Sequence, residues 1–316
     1  MSIPDFIQSV CRDIQRGLAK SAIDYANLGL NKFHTTWSPS AANDQIIIGT
    51  LAISVEFMIK ALLTEYDICL LYLDIPIELK LAFHIPEKMP EKAPWKLYEY
   101  QLKSSNYKTI GLPECITYFG ILFPDQKQKL GSHLRFLERT RNLALHSTLP
   151  AFRQYELHRT IYLTLCVYDT LFKREPSLFH SYKLTDNEKN KLFLSSFDDL
   201  RVDRVHKAIE AARLKANSIS GEKATISVDD WTVMVVECPI CGNDALLFGD
   251  TQDDWECDEH TEILSLTFLA DSLECEFCGL KLEDAKELEL GGIDPVQDRS
   301  ELADKWMEEQ SQEESY

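Results

Sequence analysis

Two short segments near the end of the chain carry one local device: Cys238-Pro-Ile-Cys241-Gly and Cys275-Glu-Phe-Cys278-Gly. Two thiolates separated by two residues can reach one metal ion from a tight turn. The glycine that follows, Gly242 or Gly279, permits the left-handed backbone such a turn often needs. Two turns supply four soft ligands in a tetrahedron, which suits zinc. Four thiolates close its coordination shell, so this zinc would be structural, holding its domain folded with no part in catalysis. Cys257-Asp-Glu-His260 has the same spacing, so Cys238, Cys241, Cys257 and His260 make an alternative set. It would orphan the second CxxC pair, and the repeated glycine favours the four-cysteine set. The other four of the nine cysteines, Cys11, Cys69, Cys115 and Cys166, are scattered through apolar helical text and read as packing thiols.

A second group is Arg141-Asn142-Leu143-Ala144-Leu145-His146. Leu130, Leu134 and Leu137 mark the apolar stripe of a helix, and the next position on that stripe is Arg141. An arginine where a core residue is due implies a buried ion pair, an interface or a site. His146 lies five residues on, so the two do not stack directly, although a long arginine near a helix end could converge with it on a phosphate. Between Lys127 and Arg159 stand seven bases, Arg135 and Arg139 among them, against the acids Glu138 and Glu156. That is the electropositive patch a phosphate ligand needs. The plainer alternative is a helix whose arginines pair with Glu138 and its neighbours and whose His146 caps the last turn.

These residues need elements to carry them. Residues 1–216 read as a helical bundle with almost no strand, with helices at Asp5–Phe33, Asn43–Tyr66, Trp95–Lys103, Glu114–Leu122, from Asp125 as N-cap to about Ser147, at Phe152–Glu175 and at Asn187–Ala216. Prolines at 76, 86, 90 and 94 imply a long irregular connection, with a short strand at Ile68–Leu73. Residues 217–227 read as a linker. Residues 228–299 read as a small β-rich zinc-ribbon domain, with strand text at Ala224–Val228, Thr232–Val236, Ala245–Phe248 and Leu264–Leu269 and one short helix within 282–292. Residues 300–316 form an acidic tail.

The net charge of −18 is unevenly placed. Residues 221–316 hold 27 acids and 5 bases, whereas residues 1–220 hold 24 acids and 28 bases. The acidic part would restrain access to the basic patch, dock a basic regulatory protein, or only keep the chain soluble. Ile46–Leu63 is apolar enough to suggest a membrane span, but Glu56 and Lys60 fall inside it and read as a surface pair on a core helix. With no secretory signal in Met1–Lys20, the expectation is a soluble cytoplasmic protein without a membrane partner.

The helical part resembles the HEPN domain (higher eukaryotes and prokaryotes nucleotide-binding), a helical-bundle family whose ribonuclease members carry Arg, a polar residue, three variable residues and His. Arg141, Asn142 and His146 match that motif position by position. Leu51–Leu63, with Glu56 and Lys60 in apolar surroundings, is similar to the family's early helix. Similar bacterial proteins append a ribbon reading CPxCG and then CxxCGL, as Cys238–Gly242 and Cys275–Leu280 do here. The proline-rich insert is a departure from the family's pattern. The resemblance implies a homodimeric, metal-independent endoribonuclease of toxin or antiphage-defence type, cutting RNA through 2′-OH attack to a 2′,3′-cyclic phosphate. Arg141, Asn142 and His146 would be catalytic, and Arg135 and Arg139 would bind substrate. The alternative is a non-catalytic HEPN module that binds nucleotide, RNA or a protein partner.

Overall fold

The computed structural model describes residues 3–35, 40–73, 75, 77–84, 108–146, 154–179, 184, 187–218, 226, 228, 230–258, 261–303, 305 and 307; at 3–7, 78, 82, 146, 177, 179, 252–258 and 261–263 the description is of backbone alone. Helices come first: α1 (Ile3–Thr35), α2 (Ala41–Tyr66), α3 (Ile77–His84), α4 (Leu112–Leu122), α5 (Pro124–His146), α6 (Gln154–Arg174), α7 (Pro176–Phe179) and α8 (Glu188–Ser218). An antiparallel sheet follows, made of β1 (Val233–Glu237), β2 (Asp244–Asp258), β3 (Thr261–Glu274), β4 (Lys281–Leu282) and β5 (Val296–Asp298), with the short helix α9 (Ala285–Leu290) between the last two strands. The mainly helical class with a small β-rich end is as expected.

The chain divides into two compact units, residues 1–197 and 198–316. In the first, α2 is central and packs against α1, α4, α5 and α6. Ser40 starts it, its side chain accepting from the Asn43 amide at 3.2 Å, and the Asp67 amide ends it on the Leu63 carbonyl. Ile47, Ile48, Leu51, Val55, Met58, Ile59, Leu62 and Leu63 are all buried, so α2 has apolar contacts on every side. Burial of each large side chain contributes about 1.5–3 kcal/mol before the entropy of ordering. By length and composition α2 could cross a membrane, yet most of it is covered by its own unit.

Local chemistry corrects several expectations. Ile68–Leu71 is a 3-10 turn and not a strand, because the Asp67 carboxylate accepts from the Cys69 amide at 2.8 Å and starts a turn. Among the described residues, strand pairing here is one bridge between Tyr72 and Thr109. Part of the proline-rich connection is helical (α3), while the helix expected at Trp95–Lys103 lies outside the described residues. Asp125 is in the first turn of α5 and is not its N-cap. Pro124, which has no N–H to leave unpaired, opens the helix, and the Phe123 carbonyl accepts from Gln126 and Lys127.

The second unit begins earlier than the boundary expected at 216. Val205 and Ala212 of α8 share a core with Leu247, Phe268, Leu273, Leu280 and Leu288. Arg201 faces Asp284 at 3.6 Å, with both side chains almost wholly buried, and Arg204 forks onto the buried Glu287. The strands of the hairpin are longer than the alternating text suggested: β2 and β3 pair from Leu246↔Glu274 to Asp258↔Thr261, interrupted by a bulge at Phe248/Gly249. A Cβ at Gly249 would stand 2.1 Å from the Leu269 carbonyl oxygen, so the bulge requires glycine. The expected strand at Ala224–Val228 and the end of the acidic tail, 308–316, lie outside the described residues.

Candidate functional site

The four cysteines of the two repeated turns come together. Cys238 stands on the exit of β1 and Cys241 in the turn into β2, while Cys275 and Cys278 occupy the turn between β3 and β4. Each turn closes identically: Gly242 N–H donates to the Cys238 carbonyl at 3.0 Å and Gly279 N–H to the Cys275 carbonyl at 2.8 Å. Both glycines have positive φ, 67° and 74°, the conformation their position after the second cysteine suggested. The four sulfurs lie within 4.8 Å of one another, with Cys238–Cys278 and Cys241–Cys275 each at 3.6 Å. A tetrahedral zinc with bonds of about 2.3 Å needs sulfur–sulfur edges of about 3.8 Å, so the donor set and spacing are those of a structural zinc site. Cys238, Cys275 and Cys278 are 2% exposed, which leaves Cys241 as the thiol nearest solvent. The backbone of β2 carries Cys257; the side chain of Cys257 and the whole of His260 lie outside the described residues.

The second cluster is in the helical unit, on α5 and α2. Leu130, Leu134, Leu137 and Ala144 are buried, and Arg141 interrupts this stripe as the spacing required. Its guanidinium reaches across to α2, where Nη2 meets Glu56 Oε2 at 3.4 Å, while Nη1 donates to the neighbouring Asn142 Oδ1 at 3.3 Å. Arg141 Nε is buried with no hydrogen-bond partner among the described residues. Glu56 is shared: its other oxygen accepts from Lys60 Nζ at 2.7 Å, and Lys60 also reaches Thr109 Oγ1 at 3.4 Å. The Lys60 and Glu56 side chains are only 5% and 13% exposed, so the pair read as a surface feature is an inner one. Cys115 lies close enough to feel the charges of this group, and burial pushes its thiol up to about 12, an inert packing thiol.

Helical geometry places the remaining residues differently. Arg135, Arg139, Asn142 and His146 follow at offsets of four, three and four, so their positions share one face of α5. At about 100° per residue, Arg141 belongs to a different face, turned toward α2. His146 is the last residue of α5; its side chain lies outside the described residues. Arg139 is exposed beside the Phe136 ring and Arg135 is half-buried. Arg159 does not contribute to a surface patch: it is 4% exposed and stacks over the Phe136 ring at 4.1 Å. Arg153 lies outside the described residues.

The sequence reading singled out both α2 and the Arg141 motif but did not join them. The signal available was the same in each: a charge on an otherwise apolar stripe, Arg141 on α5 and Glu56 and Lys60 on α2, and charges buried in one unit must find each other. The chain was compared with protein-family models, curated proteins and solved structures, and none of them matches it.

Proposed function

We propose that the helical unit is a metal-independent endoribonuclease of the HEPN type, in which Arg141, Asn142 and His146 cut RNA. The observation that carries this reading is the position of Arg141: a cation inserted in a core stripe, held by Glu56, with Asn142 beside it. Glu56 retains Lys60 whether or not Arg141 leaves it, so Arg141 can exchange its carboxylate for a phosphate without stranding a buried charge. Arg135 and Arg139, on the face shared by Asn142 and His146, would hold the RNA backbone.

In this mechanism His146 takes the proton of the ribose 2′-OH or supplies one to the departing 5′-oxygen. Arg141 stabilises the charge that gathers on the crowded phosphorus, and Asn142 orients the substrate or His146. The products are a 2′,3′-cyclic phosphate and a 5′-hydroxyl, and DNA, lacking the 2′-OH, is not cut. Since Arg141 and His146 occupy different faces of α5, a homodimer whose axis runs past the end of this helix would bring two sets of groups to one phosphate. The four-thiolate centre holds one zinc, and that zinc folds the second unit.

The test is purified protein incubated with total RNA and read on a gel for discrete fragments. The wild type cleaves in EDTA over short times, while Arg141→Ala and His146→Ala do not cleave at all. Activity that requires added magnesium, or that survives in either variant, overturns the proposal. RNA bound but never cut would favour the non-catalytic reading of the same unit.

A further inference from the structure

A second group of metal-type donors stands apart from both clusters, and it includes Cys69, which the sequence context marked as a packing thiol. Asp67, Cys69 and His84 each offer one ligand atom, and these atoms lie within 4.8 Å of one another. We propose that they form a second metal site in the helical unit, taking a divalent transition ion of the zinc type and leaving one coordination position open to a cleft.

The backbone fixes two of the three donors. Asp67 ends α2 through its amide and opens the next turn through Oδ1, which accepts from Cys69 N–H at 2.8 Å. That leaves Oδ2, and it faces His84 Nε2 at 3.5 Å. Two ligands at about 2.0 Å from a tetrahedral ion stand about 3.3 Å apart, so this pair already has nearly the bite such an ion requires. Cys69 is held in the 3-10 turn by the bond from the Tyr72 amide to its carbonyl. His84 is the last residue of α3, and its side chain is 56% exposed, which gives an ion a route in and out.

Asp67 and His84 border a cleft of about 380 Å³ that Cys11, Gln15 and Thr64 also line. One carboxylate, one thiolate and one imidazole are a mixed set suited to zinc, and three protein ligands, two of them bordering the cleft, leave room for water or a small ligand on the metal. The four-thiolate centre is closed, whereas this one is open, so its ion exchanges more readily. This assignment does not rest on the ribonuclease reading.

The experiment is metal counting on the full-length chain after equilibration with Zn²⁺ alone. Wild type is expected to hold about two ions per chain and His84→Ala about one, with affinity at the second site reduced by more than about 100-fold. Asp67→Asn is the companion variant, since asparagine keeps the turn-capping oxygen while removing the charge; it too should drop to about one. Cys275→Ser/Cys278→Ser should retain an ion that His84→Ala then abolishes. A wild type that binds a single ion, lost entirely in Cys275→Ser/Cys278→Ser, overturns the proposal, as does unchanged stoichiometry in both His84→Ala and Asp67→Asn.

Discussion

The shared carboxylate of Glu56 makes an ordering of stabilities that can be worked out before any activity is measured. Among the described residues, Glu56 is the acid paired with Lys60, whose side chain is 5% exposed; Glu56→Gln removes that charge and leaves Arg141, 21% exposed, without its partner across the helix pair. Stranding a buried cation costs about 3–5 kcal/mol. Arg141→Ala is milder, because Glu56 keeps Lys60 at 2.7 Å and loses only the longer contact at 3.4 Å. Its cost is about 1 kcal/mol, near the upper range for a partly exposed pair. Lys60→Met in the Glu56→Gln background removes the stranded cation and fills its stem volume, and it should restore about half of the loss or more. The assay is urea denaturation of the zinc-loaded chain, following the transition of the helical unit by far-ultraviolet circular dichroism. The ordering matters to function as well: if Arg141→Ala leaves the fold nearly intact, any abolished cleavage in that variant belongs to chemistry. A cost for Arg141→Ala equal to that of Glu56→Gln, or no recovery on adding Lys60→Met, would refute the shared-carboxylate account.

Three other outcomes follow from the structure. Cys275→Ser/Cys278→Ser should release one zinc and unfold the second unit while leaving the helices of residues 1–197 formed; full retention in metal analysis would instead implicate Cys257 and His260. Gly249→Ala should destabilise the second unit by more than about 2 kcal/mol, measured as a lowered melting midpoint, because its Cβ would press on the Leu269 carbonyl and neither backbone segment can yield. Burial holds the His158 imidazole below its ordinary range, so the fold favours the neutral form; stability is fully present above the unfolded pKa of about 6.5 and is lost as pH falls below it. A denaturation midpoint in His158→Phe that drops with pH as steeply as in the wild type would remove His158 as the cause.

The two zinc-type turns were legible in the sequence because everything that defines them lies within five residues. The cysteine spacing, the positive-φ glycine and the amide bond closing each turn are local, and only their meeting needed the sheet. The helices were legible for the same reason, since a 3.6-residue period is written along the chain. Arg141 could be flagged as anomalous on its stripe, and the structure places it there. Its partner could not be named, because Glu56 is 85 residues away and the pairing depends on how α5 lies across α2. The Glu56–Lys60 spacing marked an ion pair, but spacing is silent on which way a helix face turns, and packing on every side of α2 put that pair inside. The long β2–β3 hairpin was hidden by its acidic text, where cross-strand pairing outweighed weak strand propensity. The unit boundary was hidden within α8, whose periodicity is unbroken across it; the packing of Val205 and Ala212 against the core of the sheet, with Arg201 and Arg204 paired to Asp284 and Glu287, assigns that half of the helix to the second unit. Sequence alone determined what is closed by neighbouring residues, and tertiary structure decided what depends on which distant surface a helix or strand is pressed against.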